Sequence, residues 1–162
     1  MIAFNRFCFI LKNHLFRLNA IKMYNAATKF EGLPPQDKNR ILFMLKKRLL
    51  NEAYTNTEFY KKFYSSKGFH PDMFISDSDW ERVPVLEKEI IRQNTNDFFS
   101  KGISLSKMNV ATTGGSTGKP LKVYKDKSVP IEILGWRSLI WWGVHPGDNH
   151  GIVNRSVPKT LL

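Results

Sequence analysis

The spacing of apolar residues changes near Lys107, and no other feature constrains the fold of this chain as strongly. Upstream, apolar side chains recur three and four residues apart, the repeat that lines one face of a helix. Phe4, Phe7, Ile10, Leu11, His14, Leu15 and Leu18 make one such stripe, with Arg6, Lys12 and Arg17 off it. Ile41, Leu42, Leu45, Leu49 and Ala53 make a second, which assigns Lys46, Lys47 and Arg48 to the solvent side. Downstream, "MNVATT" suggests a short strand. In "PLKVYKD", Leu121 and Val123 then alternate with Lys122 and Tyr124, the period of a half-buried strand. The pattern predicts an α/β fold, a helical N-terminal region followed by the start of a sheet.

Local punctuation refines this. "EGLPPQD" ends the first helical region, since each proline forces the residue before it out of helical geometry. It divides a basic N-terminal helix and linker, residues 1–35, from the remainder, residues 36–162. Thr55-Asn56-Thr57-Glu58 has the pattern of a capping box, opening a third helix with Phe59, Tyr60, Phe63 and Tyr64. Gly68 is its expected stop. Aromatics between lysines in "FYKKFY" suit base stacking, but at helical spacing they suit a core equally. Val83-Pro84 is a further break, followed by a helix over about residues 86–94. In "SVPIEILGWRSLIWWGV", Ser128 is the expected N-cap and Pro130 sits in the first turn, where a missing N–H costs nothing. That helix is apolar nearly all round, so it belongs between layers. "HPGDNHGIV" is a turn feeding another strand.

Composition narrows the function classes. The 162 residues suit one ordinary domain, and 42% hydrophobic with 24% charged residues is globular composition. The single cysteine, Cys8, rules out an internal disulfide framework and fits a reducing compartment. It lies on an apolar stripe with no evident base, which suggests an inert core thiol. Of the net charge of +11, most sits in residues 1–70, where 13 Lys and Arg face 4 Asp and Glu. Such a half suits a nucleic acid or anionic membrane partner, or a solvated basic face. "FCFIL" is bounded by Arg6 and Lys12, well short of the ~20 apolar residues of a membrane span. No small-residue cleavage site follows it, so the chain is expected to be cytoplasmic, although its acid-poor start also resembles an organellar targeting peptide. His14, His70, His145 and His150 are scattered, and no metal site is expected. Asp79, Glu81, Glu87 and Glu89 have the spacing of helix-face charges.

One stretch, "ATTGGSTGKP" from Ala111, does not suggest packing. Gly114, Gly115 and Gly118 permit positive φ, so successive backbone N–H groups can converge on one anion. Thr113, Ser116 and Thr117 add hydroxyl donors, and Lys119 adds a full charge. The set suits a polyphosphate better than a carboxylate. It is not a Walker A loop, which requires glycine where Thr113 stands and Ser or Thr where Pro120 stands. The expected geometry is strand–loop–strand. A glycine-rich hairpin without a ligand has the same outline.

"ATTGGSTGKPLKVY" closely resembles the phosphate-binding loop of the adenylate-forming acyl ligase superfamily. Gly-Gly-Ser-Thr-Gly-Lys-Pro-Leu looks most like the phenylacetate–coenzyme A ligase branch, particularly its CapK-like relatives from polysaccharide biosynthesis. Val83, Pro84, Leu86 and Lys88 match that branch's "Val/Leu-Pro-x-Leu-x-Lys" segment, and "WWGVHPGD" resembles the segment after the loop. The likeness covers roughly residues 45–155. It implies the start of the mixed sheet of an AMP-binding enzyme domain, with Thr113, Gly114, Gly115, Ser116, Thr117, Gly118 and Lys119 holding ATP. Lys119 is the implied catalytic residue. ATP with Mg²⁺ and a small carboxylic acid are the implied substrates, and coenzyme A is a candidate acceptor. The family's acyl pocket, Mg²⁺-holding acid, ribose-binding Asp and catalytic C-terminal Lys all lie beyond this loop. The resemblance therefore predicts an incomplete N-terminal part, inactive alone and open to a complementing chain.

A reading from another class remains: a small basic helical module for nucleic acid or anionic surfaces, with the glycine loop as a structural hairpin. The sequence has no helix-turn-helix, zinc-finger or ribonucleoprotein signature to support it.

Overall fold

Proline and glycine placed the helix boundaries more faithfully than the apolar stripes placed the helix faces. The computed structural model describes residues 1–113 and 120–151. In chain order the helices are α1 (Ile2–Phe16), α2 (Leu18–Glu31), α3 (Pro35–Asn56), α4 (Glu58–Ser66), α5 (Lys88–Gln93) and α6 (Glu132–Trp141). The strands β1 (Met108–Thr112) and β2 (Lys122–Asp126) lie between α5 and α6. The chain divides into two units, Glu31–Val129 and Met1–Phe30 with Pro130–Leu162.

In the first of these units, α3 opens with Pro35 in its first turn and closes at Asn56, and α4 starts two residues later. The cap of α4 is Thr57, whose Oγ1 accepts the Tyr60 N–H at 3.2 Å. Thr55 is still inside α3, so the capping role falls two residues later than the sequence pattern suggests. Gly68 ends α4 as expected, at φ +65, and the Phe69 N–H reaches back to the Tyr64 carbonyl at 2.9 Å. Three of the four aromatics of "FYKKFY", namely Phe59, Phe63 and Tyr64, join Leu50, Phe69 and Phe74 in the core. Ring pairs bind this core closely: Phe59 stacks on Phe98 at 4.0 Å and Phe43 on Phe74 at 5.0 Å.

That aromatic core selects the buried face of α3, and it is not the expected one. Leu50 is buried with Phe43 and Tyr54 packed beside it, while Leu42, Leu45 and Leu49 are exposed. Lys46 leaves its predicted solvent role. Its ammonium pairs with Asp77 at 2.6 Å and lies 5.1 Å from the Trp80 ring. Asp79 is likewise no free helix-face charge. It accepts the N–H groups of Ile75 and Ser76 at 3.0 and 2.8 Å, which hold its carboxyl below the usual range.

The N-terminal unit also inverts an expectation. The helices α1 and α2 separate at Arg17, which has φ −142 and ψ 43. The stripe of Phe4, Phe7, Ile10, Leu11, Leu15 and Leu18 is exposed, and Cys8 with it. The opposite side of α1 faces inward instead: Phe9 meets Trp136 edge-on at 5.0 Å, and Arg6 grips Asp148 through two bonds of 2.6 and 2.8 Å. That grip lowers the Asp148 carboxyl to about 2. Gly147 sits so close to α1 that a Cβ there would meet the Phe9 Cβ at 2.8 Å.

The last helix departs from its reading twice. Ser128 does not cap it: α6 begins at Glu132 with Ile131 in the cap position and no side-chain cap bond, and Ser128 belongs to the turn after β2, where its N–H donates to Asp126 Oδ1 at 2.8 Å. Nor is α6 enclosed on all sides: Ile133 is buried, but Leu134, Trp141 and Trp142 are exposed. The strand expected after Gly151 lies outside the described residues.

Candidate functional site

The period-two segments form an antiparallel hairpin, with Met108 opposite Asp126 and Thr112 opposite Lys122. The two strands expected on either side of the glycine run are therefore present, and pair with each other. Among the described residues the sheet has these two strands and no more.

Both ends of the hairpin are tied. At the loop end, the Thr113 N–H donates to the Leu121 carbonyl at 3.0 Å, and the Leu121 N–H returns to Thr113 Oγ1 at 3.1 Å. This pair adds one rung beyond the ladder and closes the base of the glycine run. At the far end, the Lys127 N–H donates to the Lys107 carbonyl at 3.0 Å, and Lys127 Nζ to the Ser106 carbonyl at 2.8 Å. Asp126 is held below the usual carboxylate range by the Ser128 N–H. Tyr124 seats the hairpin, meeting Phe99 edge-on at 4.9 Å.

Of the residues assigned to phosphate binding, the structure places Thr113 at the mouth of this latch. Gly114, Gly115, Ser116, Thr117, Gly118 and Lys119 lie outside the described residues. Thr113 uses its oxygen as an acceptor, which leaves its hydroxyl hydrogen to donate elsewhere. Along the chain, the stretch between Asp97 and Asp126 carries charge of one sign. Residues 98–125 contain five lysines, namely Lys101, Lys107, Lys119, Lys122 and Lys125, and no Asp or Glu.

Beside the hairpin lies a cleft of about 320 Å³, walled by Tyr60, Phe98, Phe99, Leu121, Val123 and Tyr124. Among the described residues that line it, Lys122 is the one cation. The sequence reading did not anticipate this cleft. Its only advance signal was the Phe98-Phe99 pair, which follows no helical or strand period. Burial raises the Tyr60 phenol here, and pushes Tyr64 up to about 12 with help from the nearby Tyr60.

His14 lies within α1, with its Nδ1 3.0 Å from the Ile10 carbonyl, and His70 and His145 serve local turns. His70 Nδ1 accepts the Asp72 N–H at 3.3 Å, and His145 Nδ1 accepts the Gly147 N–H at 3.0 Å. Among the described residues, no three His, Cys, Asp or Glu are grouped to hold a metal ion. No helix among them is long and apolar enough to cross a membrane.

A helical body carrying an antiparallel hairpin is consistent with part of an α/β domain. The fold resembles part of the crystal structure of 2-hydroxyisobutyryl-CoA ligase in complex with 2-HIB-AMP and CoA in the thioesterification state. The TM-score is 0.50 at 24% sequence identity, over 66% of this chain and 22% of that one. The match thus spans about a fifth of that ligase, and the likeness is one of fold. No protein-family profile matches the chain, and no curated protein does.

Proposed function

We propose that this chain carries the phosphate-binding part of an ATP-dependent, AMP-forming carboxylate ligase. The carrying observation is the doubly bonded Thr113–Leu121 latch, which joins the two ends of the sequence run "TGGSTGKPL". The lysine-rich, acid-free segment around it suits a polyanion. The likeness to an acyl-CoA ligase fold supports the same class. Our finer assignment is to the CapK-like relatives of phenylacetate–coenzyme A ligase, with a role in polysaccharide biosynthesis and coenzyme A as acceptor. It rests on the Gly-Gly-Ser-Thr-Gly-Lys-Pro-Leu run and on the Val83, Pro84, Leu86 and Lys88 segment.

In this reading a substrate carboxylate oxygen attacks the α-phosphorus of ATP. The bond from that phosphorus to the bridging oxygen breaks, and the electron pair leaves with pyrophosphate. Negative charge therefore grows on the β- and γ-phosphates. Thr113, Ser116, Thr117 and the backbone N–H groups of Gly114, Gly115 and Gly118 donate there, and Lys119 supplies a full positive charge. Donors fixed in advance at developing charge lower the barrier without reorganisation. Among the described residues no three His, Cys, Asp or Glu are grouped to hold a metal ion, so these residues do not build a protein-held Mg²⁺ site.

Phosphorus NMR of ATP titrated with the full chain tests this reading. The β and γ resonances should shift or broaden with added protein, and the α resonance less. A spectrum unchanged at saturating protein would overturn the assignment and favour a structural glycine hairpin.

A further inference from the structure

The first helix presents its more apolar face to solvent. Phe4, Phe7, Leu11 and Leu15 are 68%, 61%, 46% and 64% exposed. At spacings of three and four they form one continuous stripe, and Cys8 lies along its edge. The inward side of α1 is the polar one. Asn5 donates to Asn149 at 3.1 Å, Arg6 pairs with Asp148, and buried Asn13 donates to the Phe9 carbonyl at 2.8 Å. A helix that solvent alone covered would carry the reverse arrangement.

The charge of this segment favours one kind of occupant over others. Residues 1–30 contain Arg6, Lys12, Arg17, Lys22 and Lys29 and no Asp or Glu. Arg6 and Arg17 are engaged within the unit by Asp148 and Glu132, whereas Lys12, Lys22 and Lys29 are exposed. A second copy of the same surface would set positive charge against positive charge. Nucleic acid would satisfy the lysines but gain nothing from Phe4, Phe7, Leu11 and Leu15. An anionic lipid surface satisfies both: it takes the apolar side chains below its headgroups and Lys12 among them, four residues from Cys8 and three from Leu15 on α1, and the excess positive charge of residues 1–30 draws the segment to it.

We propose that α1 lies flat on anionic bilayers, with Phe4, Phe7, Leu11 and Leu15 entering the boundary between headgroups and acyl chains. Its 15 residues are too few to span a bilayer, which requires about 20. The helix therefore rests on the membrane and does not cross it. The proposal is independent of the ligase reading, because it uses no residue of the hairpin.

Co-sedimentation of the full chain with vesicles tests it. The chain should pellet with phosphatidylcholine–phosphatidylserine vesicles, much less with phosphatidylcholine alone, and should be released by added salt. A Phe4→Ala/Phe7→Ala variant should partition roughly tenfold or more weakly, with unchanged circular dichroism, because both side chains are already solvent-facing. Lys12→Gln/Lys22→Gln should weaken binding to the anionic vesicles only. Cys8 is the single cysteine, so an environment-sensitive dye placed there reports this face alone and should shift to the blue on binding. Absence of pelleting, equal pelleting of the double variants, or a dye that stays aqueous while the protein pellets would overturn the proposal. Self-association that is lost in Phe4→Ala/Phe7→Ala, with no vesicle binding, would overturn it in favour of a second copy.

Discussion

Replacing Thr57 by alanine should destabilise the unit Glu31–Val129 by about 1.5 kcal/mol, whereas replacing Thr55 should not. Thr57 joins two helices. Its N–H and Oγ1 both donate to the Ala53 carbonyl, at 3.1 and 2.8 Å, and its Oγ1 also accepts the Tyr60 N–H at 3.2 Å. The residue is buried, so alanine leaves the Tyr60 N–H without its partner and little water to replace it. The Ala53 carbonyl keeps the backbone donor, which limits the loss to that of one cap and one additional bond. Thr57→Ser retains the oxygen and should stay within about 0.5 kcal/mol of the parent. Thr55 is exposed in the last turn of α3, where alanine is the better helix former by up to ~0.7 kcal/mol. Thr55→Ala should therefore be neutral or mildly stabilising. Urea unfolding followed by far-ultraviolet circular dichroism measures all three variants. A Thr55→Ala cost equal to or above that of Thr57→Ala would refute the placement of the cap.

Leu50→Ala should cost about 3 kcal/mol, since its site is walled by stacked rings that close poorly over a cavity, and the same unfolding assay checks it. Gly147→Ala should cost about 1–3 kcal/mol by forcing apart Gly147 and Phe9. Hydrogen exchange should then quicken in α1 and α6 while α3 and α4 keep their protection, and uniform quickening would count against the cause assigned. Tyr64 is raised to about 12, so its neutral form supports the fold fully below pH ~10, and that support is lost as pH rises toward 12. The difference in tyrosinate absorbance between the parent and Tyr64→Phe should appear only as pH approaches and passes about 12, and a difference already complete at pH ~10, the ordinary value for a tyrosine, would contradict it.

Some of this architecture was legible in the residues, and the failures share one cause. Helix ends depend on local chemistry: Pro34-Pro35 and Gly68 act through their own backbone geometry, and both fell where expected. The strands of the hairpin were equally local and fell where expected, although Tyr124, set on the polar side by the alternation, is half-buried like Val123 and packs on Phe99. Helix faces depend on what lies opposite. On α3 the run Ile41, Leu42, Leu45, Leu49 and the run Phe43, Leu50, Tyr54 both satisfy a helical period. The choice between them came from Phe59, Phe63, Phe69 and Phe74, which lie further along the chain. On α1 the apolar stripe lost to Phe9, because Trp136 and Asp148 attract the other face from more than 120 residues away. The candidate site divides the same way. Its glycine, hydroxyl and lysine content is written in sequence order, while the Thr113–Leu121 latch and the cleft beside Phe98 and Phe99 arise only on folding.

Competition between ATP and pyrophosphate for the full chain, in parent and Lys119→Ala, tests the central claim most directly. If residues 113–119 grip the β- and γ-phosphates, pyrophosphate should displace ATP, and AMP should displace it poorly. Lys119→Ala should weaken both ATP and pyrophosphate roughly tenfold to a hundredfold, the worth of one charge-assisted hydrogen bond, and leave AMP unaffected. Equal ATP affinity in parent and variant, or AMP competing as well as pyrophosphate, would contradict the account.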